Sequence, residues 1–170
     1  TQYPILFRFN AQENVEGGLT RQEALEISRL LADAGVDALD VSVVANSSWK
    51  EVDGRRLLVA SSALSKEQAA GTNVPLTAAV REATGLPVIA VGKLAEGVVA
   101  EETVRDLPID IIAIGRQMIV DPDAAGKLLA GKSHEIIACE ECMTCLASLG
   151  AAKAMACKVN RILPRPSRSD

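Results

Sequence analysis

The chain has 170 residues, 48% of them apolar and 2% aromatic, which suits one core of Ala, Val, Leu and Ile plus an appendage. Its formal net charge of −4 argues against general nucleic-acid binding, which needs clustered Lys and Arg to neutralise phosphates. No apolar run reaches the ~18 to 20 residues of a membrane helix and nothing reads as a secretory signal, so a cytoplasmic, reducing compartment is expected, with no membrane partner.

Four runs rich in β-branched residues lie along the chain: 4–9, 36–43, 87–92 and 109–115. Separated by helical stretches and punctuated by Gly and Pro, they predict strands of a parallel sheet in β/α units. Thr20 and Glu23 form a capping-box pattern, and Ala24, Ile27, Leu31 and Ala34 follow at helical spacing, predicting a helix from about residue 21 to Ala34 that stops at Gly35. Further helices are expected at Leu76 to Thr84, at Ala100 to Asp106, and after Asp121-Pro122, with Asp121 as N-cap. From Ser42 to about Thr72 no period holds, and the segment, with the single Trp49, reads as a long βα loop. Four such units cannot close a barrel that needs ~250 residues. The fold class is therefore α/β, either a half-barrel or a small open domain, and its unpaired edges predict self-association.

The densest chemistry is Cys139-x2-Cys142-x2-Cys145-x11-Cys157, which holds all four cysteines of the chain. Three thiolates on two consecutive C-x2-C steps suit an iron-sulfur cubane, with the fourth arriving from further along. Zinc is the rival metal, and unliganded thiols the plain alternative. Gly92-Lys93 and Gly115-Arg116 each end a predicted strand, where barrels bind phosphate, although either glycine could simply make a tight turn. Asp37 and Asp40 fall on opposite faces of a strand and do not form an acid/base pair. His134 reads as a surface or cysteine-neighbouring residue, Trp49 as packing, Met143 as a shield for the cysteine loop or a filler, and the basic stretch Arg161 to Arg168 as a solvated linker.

Taken in order, Phe7-Arg8-Phe9, Gly35-Val36-Asp37 with Val41-Ser42, Pro87 to Gly92, Ile114-Gly115-Arg116 with Val120 to Asp123 and Lys127, and the cysteine run resemble the flavin-dependent barrel oxidoreductases related to Old Yellow Enzyme. The likeness is to the branch with trimethylamine dehydrogenase and 2,4-dienoyl-CoA reductase. It implies a partial (β/α)8 TIM barrel, strands five to eight, over residues 1–133, an iron-sulfur loop and helix over 134–160, and a basic Pro-containing tail over 161–170. It also implies Arg8 beside the flavin ring, and Gly92, Lys93, Gly115 and Arg116 around the FMN phosphate. Cys139, Cys142, Cys145 and Cys157 would ligate a [4Fe-4S] cluster, and NAD(P)H would be the electron donor for reducing a C=C bond or oxidising an amine. By the same likeness the N-terminal half with the substrate and proton-donor groups is not in this sequence, so no catalytic residue is assigned. The implied partners are flavin and either the missing half-barrel or a second copy. The alternative is a non-catalytic, self-associating electron carrier or zinc-stapled module.

Overall fold

The computed structural model describes residues 3–95, 97–151, 154–160 and 162–163, with the side chains of 49, 50, 52, 56–60, 97, 98, 101 and 104 left aside. The side chain of Trp49 and the arginines of the 161–170 tail therefore lie outside the described residues. The chain groups into two compact units, Thr1–Leu94 with Val99–Ala113 and Ala95–Val98 with Ile114–Asp170.

In the first unit the elements run β1 (Leu6–Glu13), α1 (Arg21–Asp33), β2 (Ala38–Val44), β3 (Asn46–Val52), β4 (Arg55–Ser61), α2 (Val74–Thr84), β5 (Val88–Val91), α3 (Gly97–Asp106) and β6 (Ile111–Ala113). β1, β2, β5 and β6 form one sheet in that order, every pair parallel. All four expected strands are present. β2 is central and buried along almost its whole length, as strands covered on both faces are, whereas the edge strand β1 exposes Leu6 and Phe7. Leu39, Val41 and Val43 of β2 pack with Val88 and Ala90 of β5, Ala24 of α1, and Val74, Leu76 and Val80 of α2. Two strands are fixed at their start by an aspartate just ahead of the neighbouring strand. Asp37 accepts the Ile5 N–H at 2.7 Å, and Asp110 accepts the Val88 N–H at 2.9 Å while holding Arg81.

The capping box at α1 forms as expected, but the inward face differs. Ala24, Ser28 and Leu31 turn toward the core, while Ile27 and Ala34 are exposed. Ser28 is buried at little cost because its hydroxyl donates to Leu25 O at 2.8 Å. A larger correction concerns the expected long loop. Residues 46–61 form an antiparallel hairpin, β3 with β4, closed by Asp53 and Gly54 at φ 50° and 71°. Asp-Gly with both φ positive is the two-residue turn whose twist matches paired strands.

The second unit contains α4 (Arg116–Val120), α5 (Ala124–Leu129), a 3-10 turn at Ser133–Glu135, and α6 (Thr144–Gly150). The helix after Asp121-Pro122 begins later than expected, and Asp121 is not its N-cap. Its carboxylate is taken by Lys127 at 2.7 Å and the Ile137 N–H at 3.0 Å. The other carboxylate oxygen accepts the Asp123 N–H at 3.2 Å, so Asp121 joins the turn ahead of the helix to Lys127 and to the Ile137 backbone. No helix among the described residues is long and apolar enough to cross a membrane.

Candidate functional site

Arg8 lies directly opposite Asp40 in the β1/β2 register, with Nη1 3.3 Å from Asp40 Oδ2 and Nη2 3.4 Å from Ser42 Oγ. Side chains alternate along a strand, so with Leu39, Val41 and Val43 in the core, Asp40, Ser42 and Arg8 occupy the other face of the sheet. Arg8 and Asp40 thus form an ion pair between neighbouring strands. Arg8 nevertheless keeps half of its side chain exposed and retains N–H donors beyond these two bonds. Asp40 Oδ1 is buried with no hydrogen-bond partner among the described residues. A guanidinium fixed on one side and open on the other can stabilise an anionic edge of a planar ligand.

After β5 the chain turns through Gly92 at φ 129° and Lys93 at φ 57°. The positive φ favours glycine at this position, and a Cβ there would also stand only 3.0 Å from Asn73 Nδ2 and Leu64 Cδ1 and press on both side chains. Buried Asn73 donates to Val91 O at 3.1 Å, and Gly71 N–H donates to Gly92 O at 3.0 Å. Lys93 extends to Gln68 O at 2.7 Å and Ser65 O at 3.5 Å, fixing the segment that precedes α2. A cavity of about 100 Å³ opens nearby, lined by Gln12, Asn14, Gln68, Thr72 and Asn73 among others. None of its described lining residues is ionisable, and no motif in the sequence announced it.

In the second unit, Gly115 precedes α4 and has open space where a Cβ would stand. Arg116 Nη1 lies 3.1 Å from Met143 Sδ, which joins the expected phosphate residue to the cysteine loop. Gln117, buried on α4, donates to Ile137 O at 2.7 Å and accepts the Cys139 N–H at 3.0 Å. Asn160 donates through Nδ2 to Ile119 O at 2.8 Å. Gln117 and Asn160 escaped sequence reasoning, and Asp121 was read only as a helix cap, because an isolated polar residue carries no signal of a backbone partner far along the chain.

All four cysteines are free: Cys145 and Cys157 are buried, Cys139 is half-buried and Cys142 exposed. Among the described residues no three His, Cys, Asp or Glu side chains are drawn into a closed ligand set. The donor chemistry nonetheless fits a soft, thiolate-bound centre. Glu141 N–H points at Cys139 Sγ at 3.4 Å, and Asn160 N–H at Cys157 Sγ at 3.3 Å. Such bonds favour a charged sulfur and tune iron-sulfur centres. Glu141 and Met143, at φ 56° and 60°, curl the loop tightly between its cysteines. Burial pushes the Cys139 thiol up, against the Glu141 N–H and the Arg116 charge. For Cys142 burial also acts upward, but the Thr144 hydroxyl and N–H and the Lys158 charge together bring it below the ordinary thiol value. His134 is exposed, with Nε2 4.0 Å from Glu135 Oε1, in line with its surface reading.

Comparison with known proteins bears on the fold and the family. The NADH oxidase of Thermoanaerobacter brockii is 36% identical over 141 residues, 82% of this chain and 20% of that protein. A solved 2-naphthoyl-CoA reductase in complex with 2-naphthoyl-CoA superposes with a TM-score of 0.77 at 27% identity, covering 93% of this chain and 23% of its own. The histamine dehydrogenase of Rhizobium sp. 4-9, at 22% identity and TM-score 0.75 over 97% of this chain and 23% of its own, shows the same fold. The chain thus spans about a fifth of the length of these relatives. Residues 1–135 match the family described as NADH:flavin oxidoreductase / NADH oxidase, and to that family of flavin oxidoreductases the chain belongs.

Proposed function

We propose that this chain supplies strands five to eight of a flavin-binding (β/α)8 barrel over residues 1–133 and an iron-sulfur segment over 134–160, followed by a short basic tail. It would work within an FMN-dependent oxidoreductase fed by NAD(P)H. The carrying observation is the sheet: four parallel strands in chain order, with Arg8 held by Asp40 on the face away from the core. Bound FMN would supply hydride and single-electron chemistry. Arg8 is assigned to the negative charge of the reduced flavin, with Asp40 fixing its direction. The flavin phosphate is assigned to Gly92 and Lys93 after β5 and to Gly115 and Arg116 after β6. Cys139, Cys142, Cys145 and Cys157 are assigned as ligands of a [4Fe-4S] centre. The NADH oxidase and reductase relatives support oxidoreduction in general, and the reaction assigned is reduction of a C=C bond or oxidation of an amine.

The sheet also bears on partners. Leu6 on β1 is 59% exposed and Ile111 on β6 is 47% exposed, so both edge strands present apolar side chains. Either the complementary half-barrel or a second copy would cover them. The test is an anaerobic visible spectrum of freshly purified chain, with iron, sulfide and zinc assays and light scattering on the same sample. The expected result is a broad brown band with iron and sulfide, flavin peaks on adding FMN, and a mass above the monomer. A colourless protein that takes up neither FMN nor iron overturns the reading, and stoichiometric zinc without sulfide replaces the cluster assignment.

A further inference from the structure

The cysteine run is tied down at both ends by the same short helix. At its start, the Gln117 carboxamide pairs with the backbone as a neighbouring strand would, giving a hydrogen bond to Ile137 O and taking one from the Cys139 N–H. Gln117 is only 9% exposed, so water does not readily replace either bond. At the far end, Asn160 reaches back to the carbonyl of Ile119 on the same helix, while its own N–H meets Cys157 Sγ. Its Oδ1 accepts the Ile162 N–H at 2.9 Å, which holds the carboxamide in place. Asp121, just after the helix, takes the Ile137 N–H and makes the first attachment two-sided.

We infer that Gln117 and Asn160 are positioning residues for the cysteine centre, a two-point clamp on α4 that fixes the arms carrying Cys139 and Cys157 and so controls how firmly thiolate-bound iron is retained. The inference rests on the cysteines being ligands. Its physical basis is preorganisation. Gathering four thiolates from a loose loop requires ordering the backbone on both sides, whereas a loop already pinned at both ends has lost that freedom before metal arrives. Residues that orient ligands without touching metal typically change affinity about 10- to 100-fold when replaced.

Gln117→Met keeps the length of the side chain and loses both bonds. Gln117→Glu keeps the acceptor for the Cys139 N–H and loses the donation to Ile137 O. Asn160→Asp keeps the acceptor for Ile162 and loses the donation to Ile119 O. The full chain and each variant are reconstituted anaerobically with ferrous iron and sulfide. Iron and sulfide per chain, the rate of iron loss to a chelator and the reduction potential are then measured beside the far-ultraviolet circular dichroism. Expected is iron loss about 10- to 100-fold faster for Gln117→Met, with smaller increases for Gln117→Glu and Asn160→Asp and an unchanged dichroism spectrum. If Gln117→Met does not fold, the two milder variants decide by their chelator rates, because a purely structural role leaves those at the wild-type value, whereas the added carboxylate moves the potential with or without a clamp. Wild-type chain that takes up no iron and sulfide overturns the ligand reading and the clamp together. Wild type that takes them up, with folded variants that hold them equally well, overturns the clamp alone.

Discussion

The two units of the chain are held together by different physics. In the first, Leu39, Val41, Val80, Val88 and Ala90 are fully or almost fully buried, and the sheet is stabilised by apolar area removed from water. In the second, the helices are five to seven residues long, and the segment up to Cys139 is fixed by a few polar side chains that reach backbone groups far along the chain. The first kind of order is redundant, since many contacts share the load. The second is sparse, and single residues decide it.

Breaking the sheet should give the largest effect. Leu39→Ala at the fully buried centre of β2 is expected to cost about 2 to 5 kcal/mol, a large share of an ordinary domain's stability. Urea unfolding followed by circular dichroism at fixed protein concentration measures it, and an unchanged midpoint would remove the sheet from the comparison.

The next test targets the sparse unit. Asp121→Asn discards the charge that binds Lys127 and weakens the hold on Ile137 and Asp123, so residues 121–139 should become more sensitive to protease while the sheet unfolds as before. Acid should act in the same way. The Lys127 ammonium first, then the Ile137 N–H, hold the Asp121 carboxyl below its ordinary value against the opposing effect of burial. A carboxyl lowered by folding contributes stability that is complete above its unfolded value and disappears as pH falls through its folded one. The second unit should therefore loosen below the usual aspartate range, about pH 4, while the apolar sheet persists. Carboxyl-carbon NMR of Asp121, read beside the Ile137 amide, follows this directly. Titration of Asp121 at the ordinary aspartate value would refute it.

The same contrast explains what could be read from the sequence. All four parallel strands and α1 were legible because β-branched runs, glycine stops and a capping box are local signals. The hairpin at 46–61 was missed although Asp53-Gly54 announces its turn, because neither flanking strand carries a strong alternation of apolar and polar residues. The cysteines stood out by spacing alone. Arg8 was singled out by resemblance, and its partner Asp40 could be seen only once β1 and β2 were in register. Gln117 and Asn160 were not legible at all. Each reaches a backbone carbonyl 20 or more positions away, and a lone polar residue looks the same in sequence whether it faces water or a distant backbone.

The smallest expected effect bears on the contrast from the other side, because the first unit also contains sparse polar devices, among them the cap of α1. Thr20 Oγ1 accepts the Glu23 N–H at 3.3 Å, and Glu23 Oε2 accepts the Thr20 N–H at 2.9 Å. Thr20→Ala removes half of this reciprocal pair and should cost about 1 kcal/mol in unfolding free energy. The loss should lower the midpoint without freeing the helix, because Ala24 and Ser28 remain buried on its inner face. Glu23→Gln keeps the acceptor and gives up the charge, so its effect should be smaller still and should shrink in acid, where the Glu23 carboxyl, held low chiefly by Thr20, is protonated anyway. Hydrogen exchange across residues 21–33 separates the possibilities. Faster exchange confined to the first turn means that apolar packing holds the helix. Exchange rising along its whole length would mean that the cap, like the clamp on α4, is a single point on which local order depends.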